Sequence, residues 1–85
     1  MKKFEHSVKS EEGIHARPAT LIVTSAKSFN ANITIKCKDK KVDAKRMIAI
    51  MSLNAKKNDI LEIEIEGIDE QQAYETLLNI FKENI

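Results

Sequence analysis

The sequence has few of the residues that mark disulfide-rich or nucleic-acid-binding proteins. It contains one cysteine, one proline, two glycines and no tryptophan, and aromatic residues make up 5% of its 85 positions. The single cysteine, Cys37, excludes an internal disulfide and is typical of a reducing compartment. Fourteen basic and thirteen acidic side chains leave a net charge of +1, so no overall field attracts nucleic acid or a membrane surface.

Long apolar runs are also missing. No stretch approaches the roughly 20 consecutive apolar residues that a membrane-spanning helix needs. The start of the chain carries two lysines without an apolar run behind them, which does not fit a signal peptide. We therefore expect a cytoplasmic protein that folds as one domain over residues 1–85 and binds neither a metal ion nor a cofactor.

The apolar positions predict seven elements in the order strand, helix, strand, strand, helix, strand, helix. Apolar residues alternate in the predicted strands and recur every three or four residues in the predicted helices. Strands with one polar face predict an antiparallel sheet covered by helices on one side, an α+β two-layer sandwich. The predicted elements are a strand through Phe4, His6 and Val8, a helix over 16–29, a strand over 33–37, a short strand around Val42, a helix over 45–53, a strand over 61–65, and a helix capped by Asp69.

Charged residues mark the polar face of the predicted sheet. Glu62, Glu64 and Glu66 alternate along one strand, and Lys36 and Lys38 alternate along another. If these strands are neighbours, opposite charges face each other across the ladder, as on a solvated surface. A small RNA-binding module would show aromatic side chains on such a face for base stacking, and none are present here.

One stretch, from Gly13 to Thr20, places a histidine and an arginine at a predicted helix start. Pro18 suits a first turn because the N–H it lacks would have had no intrahelical partner there. His15 then falls at or beside the N-cap, where free N–H groups and the positive end of the helix dipole face outward. Arg17 adds a planar set of donors that matches phosphate. These residues indicate either a histidine that carries a phosphoryl group or a surface histidine that only caps the helix.

Residues 13–19, Gly-Ile-His-Ala-Arg-Pro-Ala, resemble the active-site signature of HPr, the phosphocarrier family of the bacterial phosphoenolpyruvate-dependent sugar phosphotransferase system. The resemblance covers the whole chain and implies an open-faced β-sandwich in which three helices cover a four-stranded sheet, in the order βαββαβα. It also implies that His15 accepts a phosphoryl group on Nδ1 from enzyme I and passes it to the IIA components of sugar permeases. Arg17 would stabilise that group, with Ala16 and Pro18 in support. Such a protein is a carrier without independent turnover and not an enzyme.

A second matching region, residues 42–53, is similar to the family's second helix and its approach. Its apolar side chains are too many for one buried stripe, so we expect Ile50 to face the core and others to be partly exposed. Flexible methionines suit a surface that docks several proteins, although these side chains could instead simply complete the core. The expected partner surface of this monomer consists of Thr20, Lys27, Met47, Ile48 and Met51.

The chain departs from the family at a regulatory position. Many relatives have a serine at the start of the second helix, and Arg46 occupies that position here, so a serine kinase has no target there. Ser52 lies one and a half turns later and does not replace it. Asn54 stands where the family commonly has glycine, a mild change because asparagine tolerates left-handed backbone geometry.

Two other functions fit the sequence less well than phosphoryl transfer. An HPr-like regulatory module would dock a transcription factor or a metabolic enzyme. Paralogues of that kind can lose the active histidine and keep the serine, whereas this chain has the reverse pair. A metal site formed by His6, His15 and Cys37 has no supporting spacing. We interpret His6 as a structural residue with satisfied hydrogen bonds and Cys37 as buried and inert.

Overall fold

The computed structural model describes all 85 residues and contains the seven elements in the predicted order. The four strands form one antiparallel sheet. The strand over residues 60–66 lies between those over 2–7 and 32–37, and the strand over 40–43 pairs with the other side of the strand over 32–37. This arrangement confirms the predicted fold class. None of the three helices has the length and apolar content that crossing a membrane requires. The elements are β1 Lys2–Ser7, α1 Ala16–Lys27, β2 Asn32–Cys37, β3 Lys40–Asp43, α2 Met47–Met51, β4 Ile60–Glu66 and α3 Glu70–Asn84.

The apolar core lies between the sheet and the helices. Alternate residues of β4, Leu61, Ile63 and Ile65, are fully buried, as the period of two predicts. Phe81 of α3 is also fully buried and meets Phe4 edge to face, with ring centroids 5.6 Å apart. Burying each such side chain contributes about 1.5–3 kcal/mol to stability. This packing fixes α1 and α3 on one side of the sheet.

The opposite face of the sheet is charged, as predicted, except that Lys38 lies beyond the end of β2 in a left-handed turn conformation (φ 58°), with its Nζ atom 3.7 Å from the carboxylate of Asp59. Lys36 of β2 lies directly across the ladder from Glu62 of β4. The carboxylate of Glu64 is 2.8 Å from the Nζ atom of Lys41 and 3.8 Å from that of Lys3. This face is a solvated surface of paired charges and offers no aromatic platform for bases.

The second helix is shorter than predicted, spanning residues 47–51 instead of 45–53. The Asp43 carboxylate accepts a hydrogen bond of 2.9 Å from the backbone N–H of Lys45, which holds a turn before the helix. Arg46 then has extended backbone angles (φ −123°, ψ 113°) and serves as the N-cap. Beyond the helix, Asn54 adopts a left-handed conformation (φ 52°), which confirms the tolerance expected of asparagine at that position.

Asp69 precedes α3 as predicted, but its side chain does not cap that helix. Its carboxylate accepts hydrogen bonds from the backbone N–H groups of Asn30 and Ala31, at 2.7 and 2.9 Å. Asp69 is therefore the N-cap residue as predicted, but a capping role for its side chain is wrong, because the carboxylate ties the α1–β2 turn to the start of α3. Gly67 permits this approach, since a β-carbon there would lie 2.6 Å from the Cα atom of Ala31.

The two residues interpreted as structural behave differently. Cys37 is 3% exposed, and burial, assisted by the nearby carboxylate of Asp59, raises the pKa of its thiol. Its burial is therefore confirmed, and a raised pKa is in keeping with the expected low reactivity of the thiol. His6 is buried against Phe81, yet its Nε2 atom has no hydrogen-bond partner. The prediction that its hydrogen bonds are satisfied is wrong for this atom, which costs stability.

We expect the free energy of unfolding to decrease as the pH falls below about 6.5, because of His6. Burial lowers the pKa of His6, the backbone of Ile85 partly offsets this, and the charge of Lys9 lowers it further. The unfolded chain binds a proton near pH 6.5 that the folded protein accepts only at lower pH. Stability present above that range is therefore lost as the pH falls through the folded pKa.

Urea unfolding from about pH 7.5 to about pH 5 measures this slope above the range in which carboxylates titrate. The slope should be reduced in His6→Gln and retained in His15→Ala, which removes the chain's other histidine. An equal slope in the wild type and in His6→Gln would contradict the assignment.

Candidate functional site

The turn before α1 is fixed by contacts with the loop that precedes β4. Gly13 has a left-handed backbone (φ +68°), and a β-carbon there would overlap the carbonyl oxygen of Ala55. The N–H of Ile14 donates to the same oxygen at 3.3 Å, and the Ile14 side chain is buried. The residue that follows, His15, therefore starts from an anchored backbone. Only glycine fits at position 13 without displacing this turn.

His15 is the N-cap residue of α1, as predicted, with an extended backbone (φ −105°, ψ −170°). Its side chain makes no capping hydrogen bond and is 40% exposed. The interpretation of His15 as a mere helix cap is therefore not supported. The imidazole is available to solvent beside the free N–H groups and the positive dipole end of α1.

Arg17 lies with His15 in one open depression of the surface. No carboxylate forms an ion pair with its guanidinium, so its donors remain available for an anion. Ala16 begins the helix and accepts a hydrogen bond of 2.8 Å from the Thr20 hydroxyl, and Pro18 is buried in the first turn. These two residues support the helix start. The imidazole lies at its surface with the Glu12 carboxylate 3.6 Å from Nε2, and the guanidinium has no acidic partner.

The structure places three further residues beside His15 and Arg17 that the sequence analysis did not predict as site residues. They are Glu12, Leu21 and Asn84, which line the depressions around the imidazole. Glu12 could have been found, because it precedes His15 by three residues across a glycine turn. Asn84 could not, because it reaches the site only through the packing of α3 against α1.

The expected partner surface is largely brought together by the packing of α1 against α2. The Thr20 hydroxyl lies 3.9 Å from the sulfur of Met47, which places the two helices side by side. Ile48 is 81% and Met51 41% exposed, whereas Ile50 is fully buried, as predicted. A second depression is lined by Lys27, Lys45, Arg46, Met47 and Ile48, among others, and Met51 lies outside it.

Arg46 is exposed at the start of α2. Its backbone N–H donates to the carbonyl oxygen of Asp43 at 3.2 Å, and its side chain makes no ion pair or hydrogen bond within the protein. Ser52 is at the opposite end of this short helix, where its hydroxyl donates to the carbonyl oxygen of Ala49 at 2.6 Å. The two positions are therefore not interchangeable. The start of α2 presents a positive charge where a hydroxyl would be needed for phosphorylation.

Comparison with known proteins identifies the family and the fold. Residues 2–83 match the family model described as the PTS HPr component phosphorylation site. The histidine-containing phosphocarrier protein of Mycoplasma is 29% identical, with a TM-score of 0.91 over 93% of this chain and 90% of its own. HPr from Thermoanaerobacter tengcongensis is 35% identical, with a TM-score of 0.90 over 96% and 92%.

A third solved structure is that of the Bacillus subtilis catabolite repression protein Crh, crystallised as a domain-swapped dimer. It is 32% identical, with a TM-score of 0.77 over 100% of this chain and 98% of its own. Phosphocarriers and a protein of catabolite repression therefore share the fold seen here.

Proposed function

Since this chain belongs to the HPr phosphocarrier family of the phosphotransferase system, we propose that it accepts a phosphoryl group on His15 from enzyme I and passes it to IIA components of sugar permeases. The observation that carries the proposal is the imidazole of His15. This ring is exposed at a helix N-terminus, makes no capping hydrogen bond, and lies beside the guanidinium of Arg17, which forms no ion pair. The protein acts in the cytoplasm as a carrier, with no catalytic turnover of its own.

The site suits a reversible covalent intermediate. A ring nitrogen of His15 attacks phosphorus, and the bond between phosphorus and the donor breaks with its electron pair leaving on the donor. The phosphoryl group carries up to two negative charges. The α1 dipole favours them by about 0.3–1 kcal/mol at an exposed site, and Arg17 adds donors. Such modest stabilisation leaves the group free to move on to the next acceptor.

The surface beside the site supports docking of several partners. Thr20 and Met47 join the active-site depression to the exposed side chains of α2. Lys27 and Arg46 have no acidic partner within the protein, which gives this surface a positive rim. We assign Thr20, Lys27, Met47, Ile48 and Met51 to the docking of enzyme I and IIA. Acidic partner surfaces complement this rim, so association should weaken as salt is added.

The likeness to Crh favours a second candidate, a regulatory module that docks a transcription factor or a metabolic enzyme. The same relative also makes the oligomeric state worth measuring, because it crystallised as a dimer whereas we expect a monomer here. Transfer of label separates the two functions: a carrier passes its phosphoryl group to IIA, and a purely regulatory module does not accept one at His15.

The direct test is incubation with enzyme I and phosphoenolpyruvate labelled in its phosphoryl group. One equivalent of acid-labile label should appear on this protein and should be lost when IIA is added. Sedimentation of the same sample measures its oligomeric state. Absence of label with active enzyme I, in a preparation that phosphorylates another HPr, would contradict the proposal.

Replacing Arg17 with alanine should slow phosphoryl transfer by about 10- to 100-fold, because one charge-assisted contact with the phosphoryl group is lost. The free energy of unfolding should change by no more than about 0.5 kcal/mol, since Arg17 makes no ion pair in the folded protein. Single-turnover transfer and urea unfolding measure the two effects.

Arg17→Lys is the matched variant, because it keeps the charge and loses the planar arrangement of donors. It should fall between the wild type and Arg17→Ala in transfer rate. Unchanged transfer in both variants, in the forward and the reverse direction, would remove Arg17 from the mechanism.

A further inference from the structure

We propose that Glu12 is a positioning residue for His15: its carboxylate keeps the ring's proton on Nε2 and leaves Nδ1 as the nucleophile. This inference rests on the proposed function of His15. The Oε1 atom of Glu12 lies 3.6 Å from Nε2 of His15. No other carboxylate forms a pair with this ring.

The backbone on both sides of Glu12 is held in place. The N–H of Glu12 donates to the hydroxyl of Ser10 at 3.2 Å, and that of Gly13 donates to the Ser10 carbonyl at 3.1 Å. Gly13 is itself pressed against the carbonyl of Ala55. The three-residue separation between Glu12 and His15 therefore spans an anchored turn and not a freely moving loop.

The neighbouring carboxylate has a different partner. Glu11 pairs with Lys57 at 2.6 Å, on the loop before β4, whereas Glu12 faces the imidazole. Two adjacent glutamates thus have separate contacts. Glu11 provides a matched control, with the same side chain and the same charge one position away.

The carboxylate determines which ring nitrogen is free. An ionised carboxylate only accepts hydrogen bonds, so it favours the neutral tautomer of His15 with its proton on Nε2. The lone pair is then on Nδ1. The separation of 3.6 Å is longer than a hydrogen bond, and such contacts commonly shorten when the substrate is bound.

The same contact favours the product of transfer. When Nδ1 of His15 attacks phosphorus, the bond to the donor breaks and its electron pair leaves with the donor. The ring then carries phosphorus on Nδ1, a proton on Nε2 and one positive charge, so no proton has to move during the step. The Glu12 carboxylate, next to Nε2, stabilises that developing charge.

The first measurement is the tautomer of His15 by long-range proton–nitrogen NMR, in unphosphorylated protein at a pH where the ring is neutral. The wild type and Glu11→Ala should show the Nε2-protonated form almost alone. Glu12→Ala should shift towards the mixture of tautomers of an imidazole without a partner. An unchanged tautomer in Glu12→Ala would overturn the proposal, whatever its transfer rate.

The second measurement is single-turnover transfer from phosphorylated enzyme I. Glu12→Ala should be slower by about two- to fivefold, the size expected for an exposed charge pair, and Glu11→Ala should match the wild type. Equal slowing in both variants, or none in Glu12→Ala, would also overturn it. Absence of label from all three proteins would contradict the proposed function instead, and the tautomer measurement would still decide the pairing.

Discussion

Replacing His15 with alanine should abolish phosphorylation by enzyme I completely and leave the fold intact. The chain has only two histidines, and the other, His6, is buried beneath α3 with 9% of its surface exposed. No donor protein can reach that ring in the folded state. The loss of label should be total because the variant has no second nucleophile at the helix start.

The fold should survive this substitution because the His15 side chain makes no capping hydrogen bond that alanine would lose. Circular dichroism and urea unfolding check this, with an expected change in stability within about 0.5 kcal/mol. His6→Gln is the complementary variant and should be labelled like the wild type. Acid-labile phosphate that persists in His15→Ala would refute the assignment of the acceptor.

The sequence alone was sufficient to predict those structural features that depend on a repeating or local pattern of residues. In β4, three isoleucine or leucine residues alternate with glutamates. The structure buries the first set, whereas Glu62 and Glu64 are half-buried and Glu66 is exposed. The position of His15 at the N-cap of α1 also followed from local rules, because Gly13 and Pro18 each restrict the backbone. Such patterns depend on neighbours within a few residues, which the sequence displays directly.

Contacts between distant segments could not be obtained in this way. Asp69 carries an ordinary N-cap residue type, yet its carboxylate bonds to backbone groups of Asn30 and Ala31 that only the folded turn brings near. The unpartnered Nε2 atom of His6 and the approach of Asn84 to the active site likewise depend on where α3 packs. At Asp69 a tertiary contact replaced the local capping hydrogen bond, and no periodicity in the sequence predicts any of these three features.

The shortening of α2 has the same origin. Helical spacing alone extended it to residues 45–53, but the Asp43 carboxylate binds the Lys45 N–H and stabilises a turn in its place. Side chains of this type compete with helical hydrogen bonding near helix starts. The change matters for function because it places Arg46, an N-cap residue with extended backbone, at the edge of the partner surface.

Replacing Arg46 with serine should turn this protein from a non-substrate into a substrate of the serine kinase that modifies many relatives. Arginine has no hydroxyl to phosphorylate, whereas a serine at this exposed N-cap would present one to solvent. Incubation with that kinase and labelled ATP should give no label on the wild type and up to one equivalent on Arg46→Ser. Arg46→Ala, which removes the charge without adding a hydroxyl, should remain unlabelled.

The added phosphate should also weaken transfer to His15. It would place about two negative charges beside Lys27 and Met47, where the wild-type rim is positive, and so oppose acidic partner surfaces. Arg46→Ala separates this effect from simple loss of the arginine, because it should slow docking far less than phosphorylated Arg46→Ser.

Ser52→Ala in the Arg46→Ser protein should keep the label, since the Ser52 hydroxyl is hydrogen-bonded to the Ala49 carbonyl at the far end of α2. Stoichiometric ATP-dependent phosphorylation of the wild type, at Ser52 or any other residue, would show that Arg46 does not free this protein from the kinase.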